Sequence, residues 1–379
     1  MITYFAFEWN AQIHNFVWIS LKLTKKTYKT RIVIMSKIIC KNPFYYCDIG
    51  IDGNVYVCCN KWCKFYSIGN ILQDDFSEIV SGTKLNEFVQ QFVNQEFKHC
   101  RIDTCMGAQS VDENGYEYLF DEYSQNKKRQ IRLNFDTSCN VQCIFCRHDF
   151  EMADAQQLEQ TEKLIERIKS FLPEMDKNHC EISLNGVGEV FVSKPFLDLI
   201  KHITDNYKNI KFQIITNGVL CSKEMLEKLG IIDRISGIEV SVHAASEKTY
   251  NKQIKGGNFK RVSKNLEYIS QLKLDRKIER FQMNFAINVH NYREMISFAK
   301  WGIKLGAQPS FLPLLILSEN ERMEFDKLNV ADLKHSEYNK FVKIIKKLKP
   351  LRNKIMIPEH YFKLETKKEK SRIRKFFKI

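Results

Sequence analysis

Cys139, Cys143 and Cys146 stand within CNVQCIFC, a Cys-x3-Cys-x2-Cys spacing that fits one tight loop. Three thiolates can ligate three irons of a [4Fe-4S] cube and leave the fourth iron open to a chelating ligand. A structural zinc ion takes four ligands, usually from paired Cys-x2-Cys knuckles, and this loop supplies a fourth only if His148 joins. A second group, Cys40, Cys47, Cys58, Cys59, Cys63, Cys100 and Cys105, lies upstream, so ten of the twelve cysteines precede residue 150. Such clustering points to metal ligation in a reducing compartment more than to a disulfide framework. Cys180 and Cys221 stand alone and read as core thiols.

The elements that would position these residues show from residue 131 onward. Short apolar runs at 131–135, 181–185, 212–216, 238–242, 281–288 and 309–315 alternate with amphipathic stretches such as Leu164, Ile165, Ile168 and Phe171. Strands separated by helices imply βαβ units on a parallel sheet. Six units make an incomplete (β/α)6 TIM-like barrel, and in such folds chemistry gathers at the C-terminal ends of the strands. The cysteine loop follows the first run. Gly186-Val187-Gly188-Glu189 follows the second, Thr216-Asn217-Gly218 closes the third, Ser241-Val242-His243 the fourth and Asn288 the fifth.

CNVQCIFC, with Phe145 directly before the last cysteine and a strand before the loop, resembles the signature of the radical S-adenosylmethionine (SAM) superfamily. The resemblance runs to about Leu315. It implies that SAM chelates the open iron of a cluster on Cys139, Cys143 and Cys146. An electron then enters the sulfonium, and a C–S bond breaks to give a 5′-deoxyadenosyl radical that abstracts a substrate hydrogen. GVGE resembles the family's GGE motif, so Gly186, Gly188 and Glu189 are expected to receive the methionyl ammonium, although Val187 departs from the doubled glycine. Thr216, Asn217 and Ser241 match positions near SAM, with Ser241 on the ribose; Asn288 is a further cofactor-binding candidate, with satisfaction of turn backbone as its alternative. His243 stands where the family has an acidic residue, and a strand-end His can read substrate, carry a proton or be structural.

In the upstream group, CKNPFYYCDIGIDGNVYVCC carries Asp52-Gly53 between two β-rich runs, a hairpin signal. With those two residues as the loop, Ile51 faces Asn54 and Cys47 lies across from Cys58. With IGNI at 68–71 and the later cysteines, this order resembles the SPASM module, an auxiliary iron–sulfur domain that commonly follows the barrel and here precedes it. Carried over by position, Cys40, Cys58, Cys100 and Cys105 are the ligands of one auxiliary [4Fe-4S] cluster, with structural zinc as the rival. Cys47 reads as a buried small side chain, and Cys59 and Cys63 remain alternates.

The whole chain, 379 residues with net charge +14, suits one large α/β domain beside a small cysteine-rich α+β module. Residues 1–34 carry net +4 (five Lys/Arg, one Glu) and residues 340–379 net +12 (fifteen Lys/Arg, three Glu), leaving the body at −2. The basicity therefore belongs to the ends, which weakens a nucleic-acid role without removing it. The expected divisions are an extension at 1–34, with Met35 as a candidate start, the module at 36–112, a polar linker at 113–130, the barrel at 131–335 and a solvated basic tail at 336–379. No segment reads as a signal peptide or membrane span, so the expected compartment is the cytoplasm. The resemblance implies an oxidoreductase or maturase acting on a peptide, protein or small molecule, with a donor such as flavodoxin or ferredoxin. An RNA-modifying radical SAM enzyme and a non-catalytic zinc or iron–sulfur protein are the alternatives.

Overall fold

The computed structural model describes residues 16–23, 26–33, 36–58, 66–100, 102, 105, 107–146, 152–184, 187–314 and 322–366. Gly186, His148, Cys59, Cys63 and Met35 lie outside them. The chain divides into two units, residues 1–48 with 54–129, and residues 49–53 with 130–379.

In the first unit, Phe16–Leu23 and Lys26–Val33, within the expected extension, pair antiparallel. Residues 113–130, expected as a linker, instead begin with the helix Glu113–Ser124. Asp112 caps it by accepting from the Gly115 N–H at 2.8 Å. Tyr116 and Tyr123, two turns apart, pack with Ile39 and Phe44 in a small core. The abundant polar residues mask that period in the sequence.

The turn near Asp52 also differs from expectation. Gly53 donates its N–H to Gly50 O at 2.9 Å and adopts φ +79°. The two central residues are therefore Ile51 and Asp52, with Gly53 following as a left-handed bulge residue. Ile51 does not face Asn54, and the inferred pairing of Cys47 with Cys58 loses its basis. Cys47 is fully buried.

In the second unit the sheet has six parallel strands in chain order: β1 (Gln130–Asn134), β2 (Glu181–Leu184), β3 (Lys211–Thr216), β4 (Ile235–Ser241), β5 (Arg280–Ala286) and β6 (Gln308–Leu312). The crossovers carry α1 (Ala155–Lys177), α2 (Lys194–Asn206), α3 (Lys223–Leu229), α4 (Glu247–Gln253), α5 (Phe259–Leu274) and α6 (Met295–Lys304). Asp154, Ser193, Ser222, Ser246 and Asn258 each cap the first turn of the helix they precede, satisfying N–H groups that lack helical partners.

Register separates two faces of this sheet. Ile131, Ile182 and Phe212 align in one row, and Leu133, Leu184 and Ile214 in another, all buried. Alternate positions are polar: Arg132, Ser183 and Gln213 form one row, and Ser241, Asn284 and Ser310 another. Glu239 on that face accepts from Gln213 Nε2 at 2.9 Å and from Gln282 and Asn284 amides at 3.4 Å. Parallel sheets covered by helices on both faces are apolar on both; this face is instead polar, with its side chains hydrogen-bonded to one another.

The expected solvated tail is largely folded. Helix α7 (Tyr338–Leu348) buries Tyr338, Phe341, Val342, Ile345 and Leu348, spaced for one helical face, while its lysines take the other. Beyond it, Phe311 and Met356 backbones bond at 2.7 Å beside β6. Only residues past Thr366 fall outside the described part of this segment.

Candidate functional site

The loop after β1 brings the three barrel cysteines together. Asp136 Oδ1 accepts from the Ser138 N–H at 2.8 Å, and Ser138 Oγ accepts from the Ala153 N–H at 3.0 Å, tying both ends of the loop. Gln142–Cys143 pair antiparallel with Ile254–Lys255, and Ile144 donates to Gln253 O at 3.0 Å. Cys146 N–H closes a turn onto Cys143 O at 3.0 Å. All three thiols are free of disulfides.

A cavity of about 130 Å³ at the C-terminal strand ends is lined by Cys139, Val141, Cys143, Phe145 and Cys146 from this loop, by Val187 and Gly188 after β2, by Ile215, Thr216 and Asn217 at the end of β3, and by Ser241 and His243 at the end of β4. Nine residues singled out from the sequence therefore meet at one site. Val141, Val187 and Ile215, which were not singled out, add apolar wall. Ile215 was detectable by strand alternation, since it shares a face with Asn217.

Gly188 is placed by close approach: a Cβ there would lie 2.5 Å from Asp136 O and 2.6 Å from Ser138 O. Only glycine lets the GVGE turn lie against the cysteine loop. Glu189 N–H donates to Ser138 O at 2.8 Å and fastens the two.

The Glu189 carboxylate points elsewhere than expected. It is fully buried and is absent from the cavity lining. It accepts from Thr216 Oγ1 at 2.8 Å, Asn217 N at 2.7 Å and Phe191 N at 3.4 Å. Burial pushes its carboxyl up to about 7 against these bonds. Glu189 thus buttresses the Thr216-Asn217-Gly218 turn from behind. Asn217 in turn donates to Asn140 Oδ1 at 2.8 Å and reaches Cys139 Sγ at 3.8 Å.

His243 is buried, and its ring stands edge-to-face with Phe145 at 4.9 Å between centroids. Its Nδ1 accepts from the Ala286 N–H at 2.9 Å. Burial holds the imidazole down at about 4, so it is neutral at neutral pH. Asn288 lies behind the site, donating to Gln253 Oε1 at 2.7 Å. It steadies the segment that grips Ile144 and is not part of the lining. Cys180 and Cys221 are buried, and burial pushes the Cys221 thiol up.

In the first unit, a side chain at Gly107 would come within 3.7 Å of Cys40 Sγ and 3.8 Å of Cys105 Sγ. Asn42 Nδ2 donates to Cys58 Sγ at 3.4 Å, and Gly107 N to Cys105 Sγ at 3.4 Å. Cys40, Cys58 and Cys105 thus surround Asn42 and Gly107, while Cys100 is half-buried. Burial pushes the Cys40 thiol up to about 11. Among the described residues, no three His, Cys, Asp or Glu side chains form a ready cage for one metal ion.

Residues 133–302 match the model of the Radical SAM superfamily, and residues 40–106 that of SPASM, an iron-sulfur cluster-binding domain. The two matches put an iron-sulfur cluster-binding SPASM domain ahead of a Radical SAM domain, the latter spanning less than half of the chain. A probable GTP 3′,8-cyclase of Saccharolobus islandicus is 26% identical over 179 residues, 46% of this chain and 53% of that protein. Another from Thermoplasma volcanium is 28% identical over 172 residues, 45% of this chain and 49% of that protein. The chain thus spans about half the length of these curated relatives. Among solved structures, native anSMEcpe with bound AdoMet aligns with a TM-score of 0.42 at 19% identity, covering 62% of this chain and 64% of that one.

The cavity suits the family's cofactors by its donor set. Three soft thiols outside any disulfide line it, Asn217 directs an N–H toward one sulfur, and Gly188 lies on the same wall.

Proposed function

We propose that this protein cleaves SAM reductively and uses the resulting radical to modify a peptide, protein or small-molecule substrate. One observation carries the reading: the three thiols share a single cavity with Gly188, Asn217, Ser241 and His243 at the C-terminal strand ends. Cys139, Cys143 and Cys146 hold the [4Fe-4S] cluster, and Cys40, Cys58, Cys100 and Cys105 hold an auxiliary one. When bound, the cluster would supply the low-potential electron needed for reductive C–S cleavage of SAM. The chain's own residues bind and shield: backbone at Val187 and Gly188 meets the ammonium, Ser241 the ribose, and Val141, Val187 and Ile215 keep water from the reacting carbon. A low-potential donor such as flavodoxin or ferredoxin feeds the site. Because the partial relatives are named GTP cyclases, GTP is the first small molecule to assay.

The test is anaerobic reconstitution followed by dithionite and SAM, with 5′-deoxyadenosine measured by mass spectrometry. Wild type should release it, and the variant with all three cysteines at 139, 143 and 146 changed to Ala should lose the activity with about four irons. Unchanged cleavage in that variant would sink the assignment.

A further inference from the structure

We propose that His243 is a fixed neutral hydrogen-bond donor that reads an acceptor atom of SAM through Nε2–H, and that it takes no part as an acid or base. The inference rests on SAM binding in the cavity of Cys139, Cys143 and Cys146. A backbone N–H can only donate, so the Ala286 amide at 2.9 Å requires an unprotonated Nδ1. The single ring proton of the neutral form is then on Nε2. Protonating Nδ1 would set two N–H groups against each other, which closes the route by which this ring could shuttle a proton.

The backbone argues that the placement is built. His243 adopts φ +60°, a conformation that costs a non-glycine residue unless the surroundings impose it. Here they do. His243 N–H donates to Asn284 O at 3.0 Å, while His243 O accepts from Asn291 Nδ2 at 2.9 Å and Gln253 Nε2 at 3.3 Å. Phe145 fixes the ring from the side. Among the described residues Nε2 has no hydrogen-bond partner, and the ring lines the cavity with the thiols. A protonated Nε2 can only donate, so the atom it meets must be an acceptor.

Isothermal titration of the reconstituted full chain with SAM tests this, beside nitrogen-15 NMR of its histidines at pH 7.5 before reconstitution. The His243→Gly variant relieves the left-handed backbone but removes the ring's packing and the Ala286 acceptor, so its melting temperature and that of His243→Gln are measured to show that each is folded at the titration temperature. The SAM affinity of His243→Gly should fall about tenfold, the loss of one hydrogen bond. His243→Gln, which restores an N–H donor, should recover part of that loss. The NMR signal lost in both variants should show the Nε2–H form. Wild-type affinity in His243→Gly, or an Nδ1–H signal, would overturn the proposal. A wild-type protein that binds no SAM would instead overturn the reading of the cavity itself.

Discussion

Glu189 shows how a motif residue can serve a site without facing it. Its ordinary pKa is 4.5, and burial raises the folded value to about 7. Between those values the folded chain holds a proton that the unfolded chain has released, so stability falls as pH rises from about 4.5 to about 7 and levels off above. Glu189→Gln removes that titration. Urea unfolding at pH 5 and pH 8 should show wild type losing on the order of 2 kcal/mol more than the variant between the two. Equal losses would mean that the carboxylate is ionised throughout. The spacing of the cysteines was legible because a cluster loop is a local pattern. The direction of Glu189 was not, because Thr216 and Asn217, which set it, lie 27 and 28 residues away.

The strands of the barrel were legible as elements because each carries a buried row, and the observed β1 to β6 fall on the apolar runs within a few residues. Two helices were hidden by their composition. Glu113–Ser124 and α7 are dominated by polar or basic residues, and only the spacing of the buried Tyr116 and Tyr123, or of Phe341, Val342 and Ile345, betrays their packed faces. For α7 this makes a prediction contrary to a solvated tail. Phe341→Ala should cost about 4 kcal/mol by opening a cavity. A neutral Phe341→Ala in thermal unfolding would return the segment to the surface. The GVGE turn makes a second prediction at this scale. Gly188→Ala forces a methyl to within 3 Å of the Asp136 and Ser138 carbonyls, so the two loops must part. Iron bound after reconstitution should drop by about half, with stability lowered by about 1–3 kcal/mol. Full iron loading would show that the loops can separate without consequence for the thiols.

At the scale of the whole molecule, the first unit has a core around Ile39, Phe44, Tyr116 and Tyr123, and the second is built on rows such as Ile131, Ile182 and Phe212. The proposed division of labour puts SAM cleavage on Cys139, Cys143 and Cys146 alone and assigns the first unit's cluster to the substrate, as its anchor or as the acceptor of the electron left after hydrogen abstraction. A Cys100→Ala, Cys105→Ala variant separates these roles. Wild type should bind about eight irons and the variant about four. Release of 5′-deoxyadenosine without substrate should persist in the variant, and conversion of substrate should stop. Thermal unfolding has to show the barrel intact for the comparison to count. If a folded variant loses both activities, the first unit is needed for SAM cleavage too and the division is wrong. If metal analysis finds that zinc has left in place of iron, Cys40, Cys58, Cys100 and Cys105 form a structural clamp, and the electron from the substrate must leave by another route.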